Sequence, residues 1–174
     1  MNIIGLLDSP DEGEYILDDI NLKELHDSEL AKIRNKKIGF IFQSFNLLPK
    51  INALENVQVP LMYYGMGSKK SRELGYEYLE KVGLKGREKH RPSELSGGQQ
   101  QRVAIARSLI CSPEIVLADE PTGALDQKTG IEVIDMLKEL NKQGQTIVLI
   151  THDMNIAEHA QRIVKMMDGK LYNV

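Results

Sequence analysis

Runs of strand-forming residues alternate with helix-like stretches along this chain. Largely apolar runs of four or five residues, rich in β-branched and aromatic side chains, occur at 38–42, 114–118, 147–150 and 163–167. Such short runs are typical of buried strands. Between them, apolar residues recur every three or four positions, as they do in amphipathic helices. The pattern therefore predicts an α/β fold in which helices cover a largely parallel sheet.

The predicted helices differ in character along the chain. A long amphipathic helix is predicted from about Lys128 to Lys142, and Gly144 follows its end. Its apolar stripe consists of Ile131, Ile134, Leu137 and Leu140. Between Asn46 and about Pro92, proline and glycine repeatedly interrupt helical stretches, one of which has Tyr76, Leu79 and Val82 on one face. This middle third predicts an inserted helical lobe.

Composition limits the classes of protein that remain. The chain has 174 residues, enough for one domain with a sizeable core, and 41% of them are hydrophobic. The 22 basic and 25 acidic residues give a formal charge of −3, so no bulk attraction to nucleic acid is expected. The single cysteine, Cys111, excludes an internal disulfide. No apolar run approaches the 18 or so residues that a membrane-spanning helix needs.

Polar side chains of catalytic type follow three of the predicted strands. Asp119 and Glu120 end one strand, the segment Thr151 to Asp153 follows another, and Gln43 follows a third. In a parallel sheet, ligands gather beyond the carboxyl ends of the strands. One carboxylate is placed to hold Mg²⁺ and the second to orient a nucleophile. Any one of these features alone fits a simple loop start, but their occurrence at three equivalent strand ends favours a site.

The stretch Leu95 to Arg102, LSGGQQQR, predicts a helix N-terminus suited to an anion. Ser96 can cap the helix through its hydroxyl. Gly97 and Gly98 add no side chain, which leaves backbone N–H groups open to a phosphate where the helix dipole also favours negative charge. The alternative is a purely structural role, because the same four residues S-G-G-Q also fit a capped helix that follows a glycine turn.

Together, these motifs resemble those of the ATP-binding subunits of ATP-binding cassette (ABC) transporters. LSGGQQQR is similar to the family signature, IVLADEP (115–121) to the Walker B strand, TGALD (122–126) to the D-loop, THD (151–153) to the switch histidine segment, and Gln43 to the Q-loop glutamine. They occur in family order and cover nearly the whole chain. The segment 42–65 resembles the subgroup of lipoprotein-releasing, macrolide-export and antimicrobial-peptide exporters.

The resemblance implies a fold and a division of the chain. The expected fold is the P-loop NTPase-like ABC ATPase fold, a mostly parallel sheet flanked by helices with an inserted helical subdomain. The whole chain, 1–174, is expected to be one domain. Residues 1–45 and 110–174 are expected to form the catalytic, RecA-like core, and residues 46–109 the helical subdomain that carries the signature.

The resemblance also assigns roles around ATP and Mg²⁺, the expected cofactors. Asp119 would help to hold Mg²⁺, Glu120 would polarise the attacking water, and His152 would contact the γ-phosphate. Gln43 would touch Mg²⁺ or the water and report to the membrane subunit. Hydrolysis of this kind depends on positioning and charge neutralisation rather than on covalent chemistry.

The signature residues are expected to act on a second subunit. In the family, Ser96, Gly97, Gly98 and Gln99 would close over ATP that is held by the other member of a head-to-tail dimer, and Asp126 would lie along that interface. The other expected partner is a transmembrane permease, which would keep the chain at the cytoplasmic face of the cell membrane. Nucleic acid is not an expected partner.

The chain departs from the family pattern in one respect. The phosphate-binding loop G-x-x-x-x-G-K-[ST] does not occur among the 174 residues, and in the family it lies immediately before a segment like MNIIGLLDSPDEGEY. The expectation is a chain that begins inside the helix after the loop and lacks the N-terminal strands. Such a chain is expected to bind Mg-ATP poorly, not to turn it over alone, and to expose a sheet edge and apolar surface.

Two other functions fit parts of the sequence. A soluble ABC protein of chromosomes or ribosomes is disfavoured because no sustained heptads and only one set of motifs occur. A non-catalytic remnant that pairs with an intact subunit through its signature face stays open, because the presence of Asp119, Glu120 and His152 argues only weakly against it.

Overall fold

The computed structural model describes residues 1–173. Its helices and strands follow one another along the chain as β1 (Ile16–Leu17), β2 (Ile20–Asn21), α1 (Asp27–Lys37), β3 (Ile38–Phe42), α2 (Ala53–Tyr63), α3 (Ser68–Lys81), α4 (Gly97–Leu109), β4 (Ile115–Asp119), α5 (Gln127–Lys142), β5 (Thr146–Ile150), α6 (Met154–Ala157), β6 (Val164–Met167) and β7 (Lys170–Asn173). Short 3₁₀ turns at Leu22–Glu24 and Pro92–Glu94 precede α1 and α4.

The central sheet is parallel, as the alternation of strands and helices predicts. Its strand order is β3-β4-β5, with β4 in the middle. The register aligns Phe42 with Asp119 and Asp119 with Ile150, so all three strands end at the same level. Val116, Leu117 and Ala118 of β4 are buried because Val116 and Ala118 pack in the main core and Leu117 packs in a second apolar cluster. The two smaller sheets, β1-β2 and β6-β7, are antiparallel hairpins.

Helix α4 packs closely over the sheet. A glycine is required where it crosses β3, because a β-carbon at Gly39 would lie 2.5 Å from the carbonyl oxygen of Ser108. Most of α4 is buried between the sheet and the neighbouring helices, including Val103, Ala104 and Ile105. The main core joins Val103 and Ile105 to buried side chains of α2, α3, β3, β4 and α5. The helix that begins with the signature residues is therefore central to the molecule.

The helical stripes differ in part from those that the sequence predicts. In α5, Ile134 and Leu137 are buried as expected, but Ile131 is exposed and Val133 is buried in its place. In α3 the buried face contains Leu79 but not Tyr76, which is exposed. Both exceptions are single positions at the edge of a stripe, where a one-residue rotation of the helix decides which side chain faces the core.

Helices α2, α3 and α4 occupy the middle of the chain, between residues 53 and 109, where the sequence predicts a helical lobe. The stretches between them contain Gly65, Gly67, Gly83 and Gly86. Asn52 caps α2 through its side chain, which accepts a hydrogen bond from the Glu55 N–H at 2.9 Å. Within residues 1–173, no helix is both long and apolar enough to cross a membrane.

The molecule exposes more surface than its mass requires. Its accessible surface is 10918 Å², whereas a compact monomer of 19.6 kDa is expected to expose about 8,600 Å². All four described residues of β6 and of β7 are exposed. Strand β5 lies at an end of the three-stranded sheet, and its residues are only partly covered. The excess, about 2,300 Å², is larger than the roughly 800 Å² that each partner buries in a standard protein interface.

Candidate functional site

Three loops begin side by side at the carboxyl edge of the parallel sheet. Because Phe42, Asp119 and Ile150 are paired in register, the next residues along each strand are neighbours at that edge. These are Gln43, Glu120 and Thr151, all of which the sequence places after strands. The expectation that these polar side chains gather at one edge is thus matched by the register.

Glu120 and His152 form the best-defined contact of the site. One oxygen of the Glu120 carboxylate, Oε1, accepts a hydrogen bond from the His152 backbone N–H at 2.8 Å and lies 2.5 Å from the His152 ring Nδ1. The other, Oε2, accepts a hydrogen bond from the Thr151 hydroxyl at 3.0 Å. An ionised carboxylate only accepts hydrogen bonds, so the ring contact requires a proton on Nδ1. The loops after β4 and β5 are thereby joined through one carboxylate.

The backbone at Glu120 reinforces this arrangement. Its φ is 44°, a left-handed conformation that costs a residue with a side chain on the order of 1 kcal/mol. The Glu120 N–H donates to the Ile150 carbonyl at 2.9 Å, and its carbonyl accepts from the Gly123 N–H at 3.0 Å. These two bonds hold the tight turn that aims the carboxylate at the loop after β5.

The hydrogen bonds decide the ionisation of Glu120. Burial acts to raise the pKa of this carboxyl, but it is outweighed by hydrogen bonds from the His152 ring, the His152 backbone N–H and the Thr151 hydroxyl. The net result is a pKa below the ordinary value for glutamate. A carboxylate of this kind is a weak base that stays ionised at neutral pH, so it is suited to orienting a water molecule.

Gln43 lies against the loop that follows Glu120. A β-carbon at Gly123 would lie only 2.5 Å from the Gln43 Nε2, so glycine is needed for the glutamine amide to pack there. Asp119 and Gln43 thus bring one carboxylate and one amide to the same edge of the sheet. Oxygen donors of these types fit Mg²⁺, which takes only one or two protein ligands when phosphates and water supply the rest. Among the side chains that the structure describes, no cluster of three or more His, Cys, Asp or Glu residues suited to a metal is found.

The N-terminus of α4 is capped as the sequence predicts. The Ser96 hydroxyl accepts a hydrogen bond from the Gln99 N–H at 3.3 Å, and the Gln99 side chain accepts one from the Ser96 N–H at 3.0 Å. Gly97 is half-buried beside Leu125, and Gly98 is buried against the Thr129 methyl group, where a β-carbon would collide. Gly98 therefore has a packing reason that the sequence did not reveal, in addition to the open N–H groups expected at this helix end.

Asp126 caps the helix that packs against these glycines. Its carboxylate accepts hydrogen bonds from the Thr129 N–H at 3.0 Å and from the Thr129 hydroxyl at 2.6 Å. The hydrogen bond from the Thr129 hydroxyl is the main reason why the pKa of Asp126 lies below its ordinary value. Within this chain Asp126 thus has a structural task, and its exposure leaves it accessible to a partner.

Sequence reasoning missed two residues of α4 that hold the loops of the site. Gln101 is fully buried, and its Nε2 donates to the Pro121 carbonyl at 2.7 Å, directly after Glu120. Its Oε1 accepts no hydrogen bond from the part of the chain that the structure describes.

Arg107 is the second of these residues. It donates to the carbonyls of Phe45 and Asn46, and burial lowers the pKa of its guanidinium. Their partners are backbone carbonyls, which carry no signal in the sequence.

An open cleft of about 900 Å³ lies beside the loop that carries Gln43. Its walls come from α1, β3, the end of α2 and the end of α4. Tyr63 and Tyr64 are exposed at its rim. The basic residues that line it are Lys32, Arg34, Lys36 and Arg107. Among the described residues of the lining there is no Asp or Glu, so the cleft is suited to an apolar segment that carries negative charge.

Comparison with known proteins gives a consistent result. The family model described as "ABC transporter" matches residues 1–123. The uncharacterised ABC transporter ATP-binding protein YvrO of Bacillus subtilis is 52% identical over 171 residues, which are 98% of this chain and 75% of that protein. The macrolide export ATP-binding/permease protein MacB of Escherichia coli is 50% identical over 98% of this chain, which spans 26% of MacB. The dimeric post-hydrolysis structure of the ATP-binding cassette MJ0796, bound to ADP and Pi, matches with a TM-score of 0.86 and 48% identity, covering 99% of this chain and 78% of that one.

Proposed function

The chain belongs to the ABC transporter family as an ATP-binding protein, and we propose that it is the subunit that powers an export-type transporter. The observation that carries the proposal is the Glu120 carboxylate, held by Thr151 and His152 beside Gln43 and Asp119 at the aligned strand ends. Mg-ATP, when bound, supplies the reactive phosphoanhydride and a cation that neutralises charge on the phosphates. The proposed roles of single residues rest on this geometry and on the family pattern.

Each residue of the edge has a proposed task. Glu120 accepts a hydrogen bond from the attacking water and orients it, since its lowered pKa makes it a weak base that stays ionised. His152 holds the carboxylate through Nδ1, which leaves its exposed ring edge available for a phosphate oxygen. Asp119 and Gln43 supply oxygen ligands to Mg²⁺.

The signature residues are proposed to act on a second ATP-binding subunit. Ser96 is exposed at the start of α4, where helix N–H groups and the dipole favour a phosphate. Ser96, Gly97, Gly98 and Gln99 would bind ATP that the partner holds, with Asp126 along the shared interface. The 174 residues contain no G-x-x-x-x-G-K-[ST] loop, so we propose that the chain alone does not hold ATP well enough to hydrolyse it.

ATP-dependent pairing tests the role of the signature. The chain is mixed with an ABC subunit that carries the phosphate-binding loop, and complex formation is followed by sedimentation with and without Mg-ATP. We expect a complex only with ATP, and we expect Ser96→Asp to abolish it. Aspartate also caps helices, so this variant keeps the fold and adds a charge that repels phosphate.

The matched control is Asn52→Asp, which makes the same kind of change at the cap of α2 and should leave pairing unaltered. Pairing without ATP, or pairing that survives Ser96→Asp, contradicts the signature assignment. Ordinary Mg-ATPase activity of the isolated 174-residue chain contradicts the proposal that it cannot hold its own ATP.

The second proposed partner is a transmembrane permease, which would keep the chain at the cytoplasmic face of the membrane. The basic cleft beside the Gln43 loop is the proposed docking site, with Tyr63 at its rim. Affinity purification from solubilised membranes should recover a permease with the native chain and lose it with Tyr63→Ser. Tyr63 is 82% exposed, so this change should not disturb the fold. Recovery of ribosomes or DNA instead contradicts a transport function.

A further inference from the structure

Arg107 lies in the last turn of α4 and reaches the loop that carries Gln43. Its Nη1 donates to the Asn46 carbonyl at 2.6 Å, and its Nη2 donates to the Phe45 carbonyl at 2.8 Å. The guanidinium therefore binds the carbonyl groups of two consecutive residues. Its planar arrangement of N–H donors is suited to this geometry. The proposed function counts this residue among the basic residues of the docking cleft, but it assigns no task to these two hydrogen bonds.

The two residues whose carbonyls Arg107 binds have an unfavourable backbone conformation. Phe45 and Asn46 have φ values of 59° and 49°, so two consecutive residues with side chains are left-handed. Two backbone bonds within the turn, from the Phe45 N–H to the Phe42 carbonyl at 3.1 Å and from the Asn46 N–H to the Ser44 carbonyl at 2.6 Å, support it from inside. The charge-assisted bonds from Arg107 support it from outside, and such bonds are stronger than neutral ones.

The same turn determines where Gln43 lies. Gln43 is two residues before Phe45, and its amide packs at Gly123 in the loop after Glu120. The Phe45 ring also approaches Gly97 at the other end of α4, 3.8 Å from the position of a β-carbon there. The loop thus runs beside α4 from its first turn to its last, and Arg107 anchors it at the last turn.

We propose that Arg107 is a positioning residue, which fixes the left-handed Phe45–Asn46 turn and thereby holds the Gln43 amide against Gly123. Its importance for hydrolysis rests on the proposed function of Gln43, but the positioning itself does not. Without the guanidinium the turn relaxes toward ordinary φ values and the glutamine leaves the edge of the sheet.

NMR spectroscopy of the 174-residue chain tests this directly. The readouts are the nuclear Overhauser effect between the Gln43 side-chain amide and Gly123, and the hydrogen-exchange rate of the Phe45 N–H. With Arg107→Met we expect the Overhauser effect to disappear. We expect exchange at Phe45 to accelerate about ten-fold or more, as for loss of hydrogen bonds to a charged group. Arg107→Lys, which keeps one cationic donor, should restore part of both signals.

The matched control is Arg102→Met on the same helix. Arg102 also donates to a backbone carbonyl, that of Val82 at 3.2 Å, and pairs with Glu132. Its loss should leave both readouts at Gln43 and Phe45 unchanged. If Arg107→Met unfolds the chain, the same two readouts are compared between Arg107→Lys and Arg102→Met. The proposal then requires a weaker Gln43–Gly123 contact in Arg107→Lys than in Arg102→Met.

Two outcomes overturn the proposal: an unchanged Gln43–Gly123 contact in folded Arg107→Met or Arg107→Lys, or an equal loss in Arg102→Met. Neither readout needs nucleotide or a partner. A failure of ATP-dependent pairing would therefore refute the proposed function, whereas the NMR readouts alone decide the positioning role of Arg107.

Discussion

Asn56 offers the sharpest test of how the loops of the site are held. Its side chain is fully buried at the start of α2. Its Oδ1 accepts a hydrogen bond from the Leu48 N–H at 2.7 Å. Its Nδ2 donates to the carbonyls of Leu48, Ile51 and Asn52 at 3.1, 3.3 and 3.0 Å. One amide thus closes the segment that leads from the Gln43 loop into α2.

Replacing Asn56 with alanine should cost about 3 kcal/mol of unfolding free energy. The bonds to the Leu48 N–H and carbonyl each contribute about 1 kcal/mol, and the volume left empty adds about 1 kcal/mol more. The Asn52 carbonyl loses little, because it also accepts the helical bond from the Asn56 N–H at 2.9 Å. Urea unfolding followed by circular dichroism measures the difference.

Two further variants separate hydrogen bonding from volume. Asn56→Asp keeps the size and the acceptor but places an oxygen against three carbonyls, so it should destabilise by about 2 kcal/mol or more. Asn52→Ala removes the partly exposed cap of the same helix and should cost only about 1 kcal/mol. The reasoning is refuted if Asn56→Ala costs no more than Asn52→Ala, or if Asn56→Asp is as stable as the native chain.

The remaining predictions concern the strand edge, the signature helix and the surface. The ionised Glu120 carboxylate contributes stability that is present above the ordinary glutamate pKa and is lost as pH falls through its lowered pKa. His152→Ala removes a hydrogen bond to the carboxylate and should raise the Glu120 pKa, which ¹³C NMR of the carboxyl group measures. Gly98→Ala should cost about 2 kcal/mol in urea unfolding because the new methyl group meets Thr129, whereas Gly97→Ala should change stability by less than about 1 kcal/mol. Gln101→Met should leave stability within about 1 kcal/mol, because the lost bond to Pro121 is offset by removal of the unpaired Oε1, yet it should shift the Glu120 carboxyl resonance as the turn loosens. The excess accessible surface predicts reversible association that increases with concentration, and sedimentation of a strict monomer at NMR concentrations would contradict it.

The sequence could predict the sheet edge because strand termini and site residues coincide there. An apolar run ending in a polar side chain locates the end of a strand, and in a parallel sheet those ends lie together. This pattern predicts the positions of Gln43, Glu120 and Thr151, and the register of β3, β4 and β5 brings them side by side. The prediction needed only local pattern and one rule of architecture.

The supporting contacts could not be predicted, for a physical reason. Asn56, Gln101 and Arg107 bind backbone carbonyls or N–H groups, which every residue possesses, so no pairing of residue types marks them. The sequence predicts an open anion site at Gly98, but the close contact of Gly98 with Thr129 depends on how α4 and α5 pack. The orientation of a helix about its axis also decided that Val133 rather than Ile131 is buried in α5.

Helix α4 therefore combines a proposed ligand surface with a scaffold. Its first residues, from Ser96 to Gln99, form the cap that is proposed to meet a partner's ATP. Further along the same helix, Gln101 holds the turn of Glu120 and Arg107 holds the loop of Gln43. A shift of this helix would move the cap and both loops together, because the three are tied to one rigid element. Loss of activity on mutating this helix thus cannot be assigned to ligand contact unless the positions of Glu120 and Gln43 are measured in the same variant.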